Sequence, residues 1–158
     1  MRFWFDTEFL EDGKTIELIS IGVVSEDNRE YYAETPLSKE LATSTEWLAR
    51  HVAPFLTGHI HPRRKIANDL LSFMGENPEI WTYFGSYDWV VLAQLYGRMI
   101  DLPKSWPMFC RDIMQLADTK NNPRLPPQTG TQHNALADAK WTRDVYYWLV
   151  AQEDKWKS

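Results

Sequence analysis

The sequence predicts an α/β fold, a mixed sheet flanked by helices. Three observations carry this. Strand-like segments crowd the first 34 residues, separated only by turn signals. Helix-like segments follow, interrupted by one further strand. The chain has 158 residues, 44% of them hydrophobic and 25% charged, enough for one folded core and unlike a disordered composition.

Arg2 to Phe9 reads as the first strand. Ile16 to Ser25, rich in β-branched residues, reads as the second, with the Asp12-Gly13 turn signal between them. Glu30 to Glu34 reads as a third, after Glu26-Asp27-Asn28. Three consecutive strands imply an antiparallel start. Glu40 to His51 and Arg64 to Met74 read as helices, separated by loops with Pro54, Gly58 and Pro62. Ile80 to Phe84 is the fourth strand and Tyr87 to Met99 the next helix. Pro103 and Pro107 interrupt the chain before a helix around Phe109 to Ala117. Asn121 to Gln132 is a polar loop, and Ala135 to Gln152 a long last helix. The order places helices on a mixed sheet.

The net charge of −5 disfavours a protein that coats duplex DNA, because such affinity comes from many phosphate contacts. It leaves room for an enzyme that grips a strand end. No apolar run is long enough to span a bilayer, and the N-terminal run is too short for a signal peptide. The lone Cys110 cannot form an intrachain disulfide, which fits a reducing compartment. A soluble cytoplasmic protein is the expectation.

Four carboxylates point inward. Asp6 and Glu8, two apart, share one face of the first strand, while Phe3, Phe5 and Phe9 take the other. Asp88 lies three residues before Val91 and four before Leu92, at the head of a helix's apolar stripe. Asp138 lies three before Trp141, in the stripe of Trp141, Val145, Trp148 and Leu149. Any one of these acids could be answered by a salt bridge. The nearby bases are few: Arg2 shares the Asp6 face, and Lys140 and Arg143 lie on other sides of the last helix. Four inward carboxylates therefore point to a divalent cation, and oxygen ligands suit Mg²⁺ or Mn²⁺ rather than Zn²⁺. With Asn134 as N-cap, His133 stands just before the last helix, and Asp138 lies in its first turns. An imidazole, with a reference pKa of about 6.5, can serve there as general base toward water. A structural hydrogen bond is its ordinary alternative. The other three histidines, His51, His59 and His61, have no company of the kind His133 has, and His59 and His61 lack a further His or Cys to complete a zinc site and read as surface loop.

Asp6-Thr7-Glu8 at the first strand, Tyr87-Asp88 opening a helix and His133-Asn134-Ala135-Leu136-Ala137-Asp138 near the C-terminus resemble the three motifs of the DEDDh 3′–5′ exonucleases. That superfamily includes ribonuclease T, oligoribonuclease and the proofreading subunit of bacterial DNA polymerase. Phe-Asp-Thr-Glu-Phe followed by Ile-Glu-Leu-Ile-Ser-Ile-Gly-Val-Val looks like its small actinobacterial exoribonucleases, and the likeness spans nearly the whole chain. The resemblance implies a ribonuclease H-like mixed five-stranded sheet, one exonuclease domain over 1–158, and two Mg²⁺ ions that Mn²⁺ can replace. It implies that Asp6 bridges the ions, Glu8 and Asp138 hold the one that activates water, Asp88 holds the second, and His133 deprotonates the water. Two such ions, roughly 3.5–4 Å apart, stabilise the attacking and leaving oxygens. Phe84 stands where many relatives carry Asn, four residues before the second-motif Asp.

The implied substrate is single-stranded RNA or an RNA 3′ overhang, shortened from its 3′ end to nucleoside 5′-monophosphates. Single-stranded DNA is the alternative substrate, and an idle nucleic-acid-binding module the alternative class. By the same resemblance, Thr7, Phe9 and Leu10 of the first motif would meet the terminal nucleotide. Tyr87 and Trp89 flank Asp88 and could stack on bases, with core packing as the competing role. Arg63-Arg64-Lys65 and the basic residues from Lys120 to Arg124 could contact phosphates or simply be solvated. Relatives often form homodimers, which is the expectation for this chain.

Overall fold

The computed structural model describes residues 1–153; the last five positions of the expected 1–158 domain, 154–158, lie outside the described residues. Its five-stranded sheet has the order β3-β2-β1-β4-β5. The strands are β1 (Arg2–Glu11), β2 (Ile16–Ser25), β3 (Glu30–Glu34), β4 (Glu79–Thr82) and β5 (Arg111–Asp112). β1, β2 and β3 form an antiparallel meander, and β4 and β5 add in parallel on the other side of β1. The β1–β2 turn forms because the Asp12 carboxylate accepts from the N–H groups of Lys14 and Thr15, while Gly13 takes a positive φ of 83°.

The helices are α1 (Ser38–Ala42), α2 (Glu46–His51), α3 (Arg63–Met74), α4 (Ser86–Gln94), α5 (Ile113–Thr119) and α6 (Ala135–Val150), with short 3₁₀ turns at Ala53–Phe55 and Met99–Asp101. The pleat of β1 divides the core. Phe3 and Phe5 pack with Ile66, Leu70, Val91 and Leu92 of α3 and α4. Trp4, between them in sequence, points the other way and packs with Ile113, Ala117, Val145 and Leu149 of α5 and α6.

Three of the differences from the expected element boundaries have a local cause in the sequence. The helix expected over 40–51 is two helices. Thr43 and Ser44 hydroxyls bond the carbonyls of Lys39, Glu40 and Leu41, and Thr45 caps α2 by accepting from the Leu48 N–H. Such hydroxyls offer the backbone an alternative to helix. The helix expected from 109 starts at Ile113 instead, because Arg111 and Asp112 pair with β4 and the Asp112 side chain caps α5 at the Met114 N–H. The helix expected over 87–99 runs Ser86–Gln94 and stops ahead of Gly97, whose φ is 121°. The buried line of α6 runs through Ala135, Ala139, Thr142, Val145, Tyr146 and Leu149, with Asp138, Trp141 and Trp148 on its flank.

Candidate active site

Alternation along β1 sets the site. Asp6 and Glu8 face α6, and Thr7 between them faces α4. The Thr7 backbone N–H and its hydroxyl both donate to Asp88 Oδ1, at 2.9 and 2.6 Å. This pair of bonds ties α4 to β1 and places Asp88, buried, beside the first-motif acids. Past Glu8 the register to β2 slips, with Glu8 opposite Ser20 and Phe9 opposite Leu18. Such irregularities re-aim side chains next to active sites.

Asp138 arrives on α6. The helix lies so close to β2 that a Cβ on Gly22 would come within 2.2 Å of the Leu136 backbone nitrogen. Gly22 is the strand partner of Asp6, so this contact seats the start of α6 over the first-motif acids. Asn134 caps the helix by accepting from the Ala137 N–H at 3.1 Å. His133 precedes it at a φ of +60°, and its N–H donates to Asp138 Oδ2 at 3.1 Å. Gln128 donates its side-chain amide to the other oxygen, Oδ1.

One cleft gathers Asp6, Thr7, Glu8, Phe9, Trp47, Asp88, His133 and Asp138. Ligand atoms of Glu8, His133 and Asp138 lie within 4.8 Å of one another. Among the described residues none of the four carboxylates pairs with Lys or Arg. Arg2 instead holds Glu26 and Glu79, Lys140 holds Glu30, and Arg143 holds Asp144 and Asn28.

The consequence is electrostatic. Desolvation, then the charges of Asp88, Glu8 and Asp138, push the Asp6 carboxyl well above the usual carboxylate range. Glu8 is pushed up to about 8 by burial and then by Asp138 and Asp88. Asp88 rises to about 6 through burial, against the lowering pull of the Thr7 bonds. Burial also raises Asp138, offset in part by Gln128 and His133. Acids brought together without counter-charge either hold protons or share a cation. The donor set, oxygen-rich with one imidazole at its edge, fits hard divalent ions such as Mg²⁺ or Mn²⁺.

The predicted substrate contacts divide. Phe9 lines the cleft and meets the half-exposed Tyr87 edge-to-face, 5.8 Å between ring centroids. Trp89 is a correction: only 9% exposed, it packs in the core with Val91 and Leu92. Its position in the first turn of α4 turns it to the apolar side. Leu10 likewise packs against the Ile19, Leu48 and Val52 cluster, and the Thr7 hydroxyl is used by Asp88. His59 and His61 sit on a loop away from the cleft, Nε2 to Nε2 3.2 Å apart.

Several neighbours escaped the sequence reading. Trp47 and His51 of α2 stack on each other and meet the His133 ring edge-on, at 5.0 and 5.7 Å. They come from a short helix remote in sequence, and only the aromatic-rich spacing Trp47…His51 hinted at a shared face. Gln128 comes from a loop with no pattern to mark it. Asp112 holds the Gly85 N–H at 2.9 Å, fixing the turn that leads into α4.

A ribonuclease H-like sheet with convergent, unpaired carboxylates and an adjacent histidine defines a nuclease-type domain, and comparison with known proteins agrees. Residues 1–149 match the model of the 3′-5′ exoribonuclease Rv2179c-like domain, and the chain belongs to that family. It is similar to the 3′-5′ exoribonuclease Rv2179c of Mycobacterium tuberculosis, with 45% identity over 149 residues, 89% of this chain and 88% of the relative. Among solved structures, exonuclease I shares the fold at a TM-score of 0.70 and 12% identity, covering 96% of this chain and 41% of the other. A structure of E. coli exonuclease I with a dT13 oligonucleotide gives 0.68 and 9%, with 96% and 41% covered. The chain thus spans about two fifths of exonuclease I. Among the described residues no helix is long and apolar enough to cross a membrane.

Proposed function

We propose that this protein shortens single-stranded RNA, or RNA 3′ overhangs, from the 3′ end and releases nucleoside 5′-monophosphates. The observation that carries the reading is the quartet Asp6, Glu8, Asp88 and Asp138, converging beside the ring of His133 with no Lys or Arg paired to it among the described residues. The four carboxylates would hold two Mg²⁺ ions, or Mn²⁺ in their place, which when bound supply Lewis-acid activation of water and charge stabilisation at phosphorus. His133, fixed by its backbone bond to Asp138 and by the rings of Trp47 and His51, takes the proton from the attacking water. Phe9, with Tyr87 against it, offers an apolar face to the terminal nucleotide. Membership of a 3′-5′ exoribonuclease family and 45% identity to Rv2179c support RNA as the substrate.

The test is digestion of matched 5′-labelled RNA and DNA oligomers in Mg²⁺, Mn²⁺ or EDTA, beside the Asp6→Asn variant. A 3′-shortening ladder on RNA that vanishes with EDTA and in the variant is expected. A ladder on DNA alone would replace RNA by DNA, and none on either, from folded protein, would overturn the reading. We further propose a cytoplasmic homodimer with 1–158 acting as one exonuclease domain, supported by the family resemblance; light scattering reading a monomer at working concentration would remove the dimer.

A further inference from the structure

Asp6, His133 and Asp138 are shared between two clefts. The first, described above, is closed on one side by Phe9 and Trp47. The second is lined by Tyr83, Gln128 and Trp141 beside those three shared residues. Rings continue outward from it. Tyr83 meets Trp141 edge-on at 4.9 Å, and Phe84 lies against Tyr83 at 4.5 Å between centroids. Phe84 is 64% exposed. It also has a φ of +51°, a conformation that a bulky L residue adopts only at a cost.

The neighbours on both sides enforce that turn. Thr82 is fully buried, and a Cβ on Gly85 would come within 1.8 Å of Thr82 Cγ2, so the chain folds tightly onto Thr82. The Gly85 N–H is held by Asp112 Oδ2 at 2.9 Å. Core packing gives no return for the strain, since the Phe84 ring stands in solvent. A fixed, exposed ring continuous with the reactive carboxylates is suited to a flat apolar ligand. The net charge of −5 points the same way, because base stacking holds a strand without the phosphate neutralisation this chain is poor in.

We propose that Tyr83 and Phe84 form a stacking platform for the bases of a single strand just 5′ of the nucleotide being removed. The inference rests on the exonuclease reading and adds a site to it. The terminal nucleotide occupies the first cleft, the scissile phosphate lies over the shared acids, and the remaining strand leaves across Tyr83 and then Phe84. Selectivity for unpaired strands follows, since paired bases present no free face to the rings.

The experiment is a cycle between protein ring and substrate base. Wild type and Phe84→Gly are compared on a short RNA and on the same RNA with abasic residues at the second and third positions from the 3′ end. Glycine accepts the positive φ, so the variant keeps its melting temperature, which is measured alongside. The expected result is a KM about tenfold higher for Phe84→Gly on the intact RNA, with kcat unchanged, and no added penalty on the abasic RNA. Phe84→Trp, which keeps a ring, is expected to keep the wild-type KM. An unchanged KM in Phe84→Gly, or an equal loss on intact and abasic RNA, overturns the platform. Wild-type shortening of the intact RNA in the same series tests the exonuclease reading separately. Should hydrolysis fail, binding of both RNAs to Asp6→Asn and to Asp6→Asn carrying Phe84→Gly, by fluorescence anisotropy, reads the same cycle.

Discussion

Asp6 is half-buried among three other carboxylates, and desolvation and their charge raise its pKa. Its charge therefore works against the metal-free fold while serving catalysis, so the two effects of Asp6→Asn separate. Activity should fall by at least about 10²-fold, the scale of losing one group that stabilises transition-state charge, read from initial rates on labelled RNA. Stability in EDTA at pH 8 should rise, by about 2–4 °C if relief of repulsion is worth ~1 kcal/mol in a chain of this size, read by thermal denaturation. A variant that is both inactive and less stable would show Asp6 to be a structural acid instead. The nearness of Asp6, Glu8 and Asp88 was legible from alternation on β1 and helical spacing on α4, whereas Asp138 lies on the flank of the α6 buried line and His133 stood out by its place before the Asn134 cap and by the family resemblance. Trp47, His51 and Gln128 were not legible, because their nearness to His133 and Asp138 is made by loops whose course local spacing does not encode. Trp89 was misplaced for a related reason, since an aromatic beside an acid looks the same in sequence whether it turns to the cleft or to the core.

At the scale of elements, the site depends on how α6 is seated. Its first turn approaches β2 at Gly22, opposite Asp6, and leaves no room for a methyl group. Gly22→Ala must push the helix start outward and carry His133 and Asp138 with it. The expected cost is about 1–3 kcal/mol, typical of overpacking, measured by chemical denaturation. Activity should drop further than that instability explains, because misplacement of about 1 Å at reacting groups can cost roughly 10²-fold. Equal activity at full folding would mean that α6 can shift without disturbing the acids. The strands β2 and β3 and the span of α6 were legible because β-branched density and a long amphipathic run are strong local signals. β5 was not, as two residues carry no periodicity, and its pairing with β4 is a tertiary fact. The break between α1 and α2 was written in Thr43-Ser44-Thr45, whose hydroxyls bind backbone and end one helix before capping the next.

For the molecule as a whole, the quartet couples stability to pH and to metal. In the unfolded chain these carboxyls titrate near 3.9 to 4.3. In the metal-free fold burial raises all four, Asp88 to about 6 and Glu8 to about 8, and the charge of neighbouring quartet members adds to the rise of Asp6 and Glu8. Between the two ranges the native state binds more protons than the unfolded state, so its stability declines as pH rises. For Asp88 and Glu8 the contribution is full below the unfolded values and is lost as pH rises through about 6 and about 8 respectively. A divalent cation bound only by the native state opposes that loss, and it competes with the same protons, so its stabilisation grows with pH. Melting temperatures measured in EDTA should therefore fall between about pH 5 and pH 8, the window set by the Asp88 and Glu8 shifts. With millimolar Mg²⁺ the fall should shrink, the gap between the two curves widening toward pH 8. Asp6→Asn should flatten the EDTA curve, since one of the four repelling charges is gone. Parallel curves with and without Mg²⁺ would instead mean that the carboxylates keep their protons, or find a partner inside the protein, and that the quartet does not hold the ion.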